Sequence, residues 1–213
     1  MQGVGGFASP AADQAAGAAK SGPQPGGDRS QSVVADGHQV WLCGGTGTAF
    51  LHSIIDVFDR QIVGYHVDKV CHTRHVVKAL QKALLKRNVC GQSHPLVIRT
   101  DNGPQFKSKA FYEFCQQMNL EHERIPNKLP NKNAYIESFH SILERECLRW
   151  NCFETFEQAF GEVDRFIRFY NTERLHGSLE DLPPTEYLEL VTAGVIKAPE
   201  NRSMIAKRHV LMR

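Results

Sequence analysis

From Thr48 to Val67 the chain reads TAFLHSIIDVFDRQIVGYHV, two runs rich in β-branched and aromatic residues broken at Asp59-Arg60, a pattern that predicts a β-hairpin. Val76, Val77, Leu80, Leu84 and Leu85 then recur at helical spacing within residues 72–86, predicting an amphipathic helix. The short apolar run Leu96-Val97-Ile98 stops at the turn signal Asp101-Asn102-Gly103-Pro104 and reads as a buried strand. Phe111, Phe114, Cys115 and Met118 mark a second helix, and residues 120–125 a further short strand. Residues 126–133 are a polar loop. Helical spacing returns at Ile136, Phe139, Leu143 and Cys147, and again at Phe156, Phe160, Val163, Ile167 and Tyr170. Strands in antiparallel succession, followed by alternating helices and strands, predict an α/β fold whose sheet carries helices on its faces. In such sheets ligands gather beyond the carboxyl ends of parallel strands, and Asp101 falls at an end of that kind.

Composition divides the chain further. Residues 1–32 are Gly, Ala, Pro, Gln and Ser with almost no large apolar residue after Phe7, and are expected to be a disordered low-complexity leader. Residues 33–190 form the expected core, and residues 191–213 a basic tail in which Lys197, Arg202, Lys207, Arg208 and Arg213 face only Glu200. Such a tail either contacts phosphate or is simply solvated. The whole chain of 213 residues is 41% hydrophobic, ample for one core, with a net charge of only +2, too small to announce a nucleic-acid partner. Six cysteines without a CxxC pair suggest neither a disulfide framework nor a zinc knuckle. Without a long apolar run or a secretory signal, a soluble intracellular protein with no membrane association is expected.

The candidate chemistry lies in RTDNGPQF around Asp101 and NKNAYIESFH around Glu137, with about 35 residues between the two acids. Taken alone, Asp101 is a turn former and Glu137 an acid suited to the first turn of a helix. Together with LHSIIDVFDRQIVGYHV and the closing YNTERLHGSLEDLPPTEYL, where Tyr170, Asn171, Arg174, His176, Leu179 and Pro184 stand, these words make the stretch from Asp36 to Leu188 resemble the Asp-Asp-Glu catalytic core of bacterial insertion-sequence transposases, relatives of retroviral integrases.

The resemblance implies an RNase H-like mixed sheet with helices on both faces. It also implies metal-dependent phosphoryl transfer that cuts and joins DNA strands. In that chemistry two divalent ions about 3.5–4 Å apart activate the attacking oxygen and hold the leaving one. Hard carboxylate oxygens suit Mg²⁺ or Mn²⁺. By resemblance the first acid bridges both ions, with Asp101 and Glu137 flanking it. Counting back about 18 residues from IIDVFDR places that acid at Asp36, in SVVADGHQVWL, with Asp56 as the alternative. Gly37 stands where relatives carry a branched apolar residue. Relatives also carry a basic residue seven positions after the catalytic glutamate, where this chain has Glu144 followed by Arg145.

Candidate DNA contacts are Lys128, Lys132, His140, Arg145, Arg174 and His176. Self-association, DNA ends and target DNA as partners, and an upstream helix-turn-helix reader are implied by the resemblance. A degenerate or domesticated core that binds DNA or a partner without catalysis, and a nuclease that only hydrolyses, are the alternative readings.

Overall fold

The computed structural model describes residues 32–41 as backbone, and 48–88, 96–125 and 134–198 in full. Five strands form one sheet in the order β3-β2-β1-β4-β5, where β1 is Ser32–Trp41, β2 Thr48–Asp56, β3 Ile62–Asp68, β4 Leu96–Thr100 and β5 Leu120–Arg124. β1, β2 and β3 are antiparallel neighbours; β4 and β5 run parallel to β1. Helices α1 (Thr73–Lys86), α2 (Lys109–Gln117), α3 (Ala134–Glu146), α4 (Phe156–Thr172) and α5 (Pro184–Thr192) complete the order.

The hairpin break falls where Asp59-Arg60 predicts it. Arg60 takes a left-handed φ of 65°, and the turn closes through Asp56 N donating to the Gln61 carbonyl at 2.9 Å. Alternation along β2 sends its side chains to opposite faces of the sheet. Leu51 and Ile55 meet Ile136, Phe139 and Leu143 of α3 and Val163, Ile167 and Tyr170 of α4. Ile54 meets Val76, Leu80 and Ala83 of α1, with Ile98 of β4 and Phe111 and Phe114 of α2 in the same cluster. Both faces are therefore covered, as the sequence pattern predicts. Full burial of each such Leu, Ile or Phe contributes roughly 1.5–3 kcal/mol, so these two layers hold the sheet in place.

Close approach of α1 to the sheet requires a glycine. A Cβ at Gly64 of β3 would stand 2.1 Å from the Ala79 carbonyl oxygen and 2.8 Å from Ala83 N. The missing side chain lets the helix lie directly on β3.

Two features extend the sequence reading. β1 continues through Gly37 to Trp41, paired throughout with β2, so the glycine does not end the strand. The folded unit also passes residue 190: α5 runs to Thr192, and Val191, Ile196 and Ala198 pack with Phe58, Leu179 and Tyr187. Apolar residues spaced among the charged ones hold this segment to the core.

Candidate functional site

The register places two of the predicted acids side by side. Ala35 of β1 lies opposite Thr100 of β4, and Asp36 and Asp101 are the next residues on these parallel strands. Neighbouring strands lie about 4.8 Å apart, so the two acids occupy the same level at one edge of the β1–β4 ladder. β4 stops there because its next residue turns the chain: the Asp101 Oδ1 accepts a hydrogen bond from Gly103 N at 2.8 Å, and Pro104 opens a 3₁₀ turn. The buried Thr100 hydroxyl donates to the Asp101 carbonyl at 3.0 Å and lies 2.8 Å from His122 Nε2. Asn102 Nδ2 donates to the Ile125 carbonyl at 2.7 Å. These bonds tie the end of β4 to β5 and hold the turn that carries Asp101. The carboxylate itself is partly open to solvent and makes no ion pair among the described residues.

Helix α3 brings the third acid to the same end. Ile136, Phe139, His140 and Leu143 face inward, leaving Glu137 exposed in the first turn. His140 Nε2 lies 2.8 Å from Ser53 Oγ, and Ser53 is the cross-strand partner of Asp36. Residues three apart on a helix are neighbours, about 5–6 Å between Cβ atoms. Glu137 thus stands one helical step from a side chain fixed at the level of Asp36. The backbone thus sets Asp36 of β1 level with Asp101 just after β4, and α3 carries Glu137 one helical step from the contact made at that level; carboxylates are the hard oxygen donors that Mg²⁺ and Mn²⁺ favour.

Asp56 is used differently. It pairs with Val33, at the end of the β1–β2 ladder three positions from the Asp36–Ser53 pair, and closes the hairpin. Its Oδ1 accepts from Phe58 N at 2.9 Å, and its Oδ2 lies 3.0 Å from Arg87 Nε. Arg87 also pairs with Asp59 at 2.6 Å. Burial, then the neighbouring Asp56, pushes the Asp59 carboxyl up to about 7 against the pull of Arg87. This buried acid–arginine–acid group closes the hairpin onto the end of α1.

The predicted DNA contacts separate in the same way. Lys128 and Lys132 lie outside the described residues. Contrary to expectation, His140 is buried against Ser53 and does not face the solvent. Arg174 is engaged by Glu146 through two bonds of 2.9 Å, which hold the Glu146 carboxyl below its ordinary range. His176 is buried edge-on against Tyr170, and burial, followed by the nearby Arg174, lowers its pKa. His140 and His176 serve interior contacts and Arg174 a surface ion pair, uses that sequence alone does not distinguish from one another. Arg145 remains exposed, 3.3 Å from Glu146, with Glu144 exposed beside it.

A second polar cluster has no counterpart in the predicted site. His66, Asp68 and His75 each offer a ligand atom, all within 4.8 Å of one another. The signal in the sequence is His66 and Asp68 two apart on one strand, followed by His72 and His75 at the start of a helix.

Family models described as "Integrase core domain" match residues 29–129 and 118–184, together most of the chain. An insertion element IS476 protein of Xanthomonas euvesicatoria is 36% identical over 135 residues, covering 63% of this chain and 38% of its own length. The transposase of insertion sequence element IS904 from Lactococcus lactis is 32% identical over 160 residues, covering 70% of this chain and 61% of its own. The chain thus spans under two thirds of these relatives. Among solved structures, the HTLV-2 integrase catalytic core domain in complex with magnesium aligns with a TM-score of 0.54 at 17% identity, over 74% of this chain and 95% of that one. That likeness establishes the fold as the RNase H-like one of integrase cores.

Proposed function

This chain belongs to the integrase core domain family, that of insertion-sequence transposases, and from that premise we propose that it is the catalytic core of a DNA transposase, with Asp36, Asp101 and Glu137 as its metal-holding carboxylates. The observation that carries this reading is the register of β1 on β4, which sets Asp36 beside Asp101 and leaves Asp56 bound to Arg87.

The three acids would hold two Mg²⁺ or Mn²⁺ ions, which supply activation of the attacking oxygen and stabilisation of the leaving one. The chain's own contribution is placement. Asp101 is held by the Gly103 N–H at the end of a strand anchored through Thr100 and Asn102, so its position is set before any ligand arrives. Asp36 lies in the middle of a strand paired with β2 on one side and following the β4 ladder on the other. Glu137 is carried by α3, whose position relative to β2 is set by the His140–Ser53 contact and the packing of Phe139 and Leu143. One acid on a helix, one on a strand and one at a strand's end would hold the ions for in-line exchange of a phosphodiester.

The substrate of this reading is DNA, both element ends and target, and the working form is a multimer on paired ends. End recognition falls to a helix-turn-helix segment outside the core, and Arg145, Lys128 and Lys132 are its own phosphate contacts. The presence of an acid at each of the three positions, with Asp36 next to Asp101 across the β1–β4 register, favours catalysis over a degenerate core that only binds.

Calorimetric titration with Mn²⁺ tests the least orthodox assignment. Wild type should bind two ions per core and Asp36→Asn should lose at least one of them, since one of the carboxylates that would hold them is gone. Unchanged binding by this variant would remove Asp36 from the site.

A further inference from the structure

We propose that His66, Asp68 and His75 form a second metal site, selective for a zinc-class divalent transition ion and separate from the three carboxylates. His66 Nε2 lies 3.5 Å and His75 Nε2 3.4 Å from Asp68 Oδ2. Zinc takes nitrogen and oxygen ligands at about 2.0–2.2 Å in a tetrahedron, whose edges are then about 3.3–3.6 Å. The two separations from Asp68 already match such edges, and all three ligand atoms lie within 4.8 Å of one another, so binding asks only that the two imidazoles close on the carboxylate.

Hydrogen bonding prepares His75 as a ligand. Its Nδ1 lies 2.8 Å from the Val70 carbonyl, which can only accept, so Nδ1 carries the proton and Nε2 offers its lone pair toward Asp68. The same lone pair accepts from Arg74 Nε at 2.9 Å. Arg74 is exposed at the helix surface and is free to swing outward when an ion takes its place.

An independent observation points into the same place. His52, only 1% exposed, finds no hydrogen-bond partner for either ring nitrogen, and its ring centroid lies 6.3 Å from that of His75. It pairs with His66 across the β2–β3 ladder. A buried imidazole with both nitrogens unsatisfied is costly unless something else uses it. An ion on His66, Asp68 and His75, or its fourth ligand, gives His52 that partner.

Ligand chemistry separates the two sites. Two imidazoles and one carboxylate suit zinc-class ions, whereas three carboxylates suit Mg²⁺ or Mn²⁺. His66 and Asp68 end β3, and His75 lies in the first turn of α1, so the ion would clamp the strand to the helix that packs on it.

The test is equilibrium dialysis of the whole chain against Zn²⁺ in excess Mg²⁺, with Co²⁺ replacing Zn²⁺ to report geometry through its visible absorption. One Zn²⁺ per chain and an intense tetrahedral Co²⁺ spectrum are expected, both retained in Asp101→Asn and both lost in His66→Gln and Asp68→Asn. Affinity should fall by more than the roughly 10–100-fold that loss of an outer-shell partner costs. His66 and Asp68 are partly exposed at a strand end, so their variants remain folded, and far-ultraviolet circular dichroism verifies this. Absence of stoichiometric Zn²⁺, or equal binding by His66→Gln and wild type, overturns the proposal. Loss of Zn²⁺ in Asp101→Asn with retention in His66→Gln would assign the ion to the carboxylates and overturn it equally, whereas the reading of the carboxylates themselves rests on Mn²⁺ binding.

Discussion

Ser53 Oγ and His140 Nε2 lie 2.8 Å apart, joining the middle of β2 to the helix that carries Glu137. Since Ser53 is paired with Asp36, one hydrogen bond links the strand of the first acid to the helix of the third. Loss of the serine hydroxyl leaves a buried imidazole nitrogen without that partner, at a cost of about 1–3 kcal/mol. Ser53→Ala should therefore lower the urea midpoint, and should reduce DNA cleavage by more than the fraction unfolded explains, because Glu137 loses its anchor. His140→Ala should leave the salt dependence of DNA binding unchanged. A reduced salt slope in that variant would restore His140 as a phosphate contact.

Arg87 neutralises two acids at the hairpin. Asp59 is fully buried and Asp56 nearly so, and both contact the same guanidinium. Removing one partner of a buried ion pair strands the remaining charge and costs on the order of 3–5 kcal/mol. Arg87→Leu should lose stability of that size in denaturant unfolding, while the carboxylate site, at another part of the sheet, still binds Mn²⁺ in the folded fraction. A loss under 1 kcal/mol would show the group to be a solvated surface pair.

Arg145 and Arg174 should behave oppositely on DNA. Arg174 is held by two bonds to Glu146, whereas Arg145 is exposed. Each phosphate contact contributes about one unit to the slope of log affinity against log salt. Arg145→Gln should lower that slope by about one and weaken binding to all sequences alike. Arg174→Gln should leave the slope as it was and lower thermal stability instead. The reverse pattern would show that the Glu146 pair opens to receive DNA.

Much of the fold was legible because its signals are local. Alternation in β2, the Asp59-Arg60 break, the spacing in α1 and the turn after Ile98 each state a period or a stop, and the sheet carries them out. The candidate acids Asp101 and Glu137 stand out through the words around them. Asp36 stands out less, since Gly37 weakens the strand signal, and only the β1–β4 register, a long-range pairing, sets it next to Asp101. The partners of His140, Arg174 and His176 are hidden in the sequence for a related reason. A polar residue near a helix end looks the same whether it meets solvent, a surface acid or a buried neighbour, and only tertiary packing sets Ser53, Glu146 and Tyr170 against them. The cluster at His66, Asp68 and His75 needed the fold too, because α1 brings His75 back to the end of β3.

The central claim, that this core exchanges phosphodiester bonds with Asp101 among its metal-holding acids, is tested most directly by cleavage of labelled element-end DNA in Mn²⁺. Wild type should cut, chelation should stop it, and Asp101→Asn, with its fold intact, should lower the rate by about 100–1,000-fold, comparable to losing a major electrostatic stabiliser of the transition state. An Asp101→Asn variant that cuts at the wild-type rate would contradict the account.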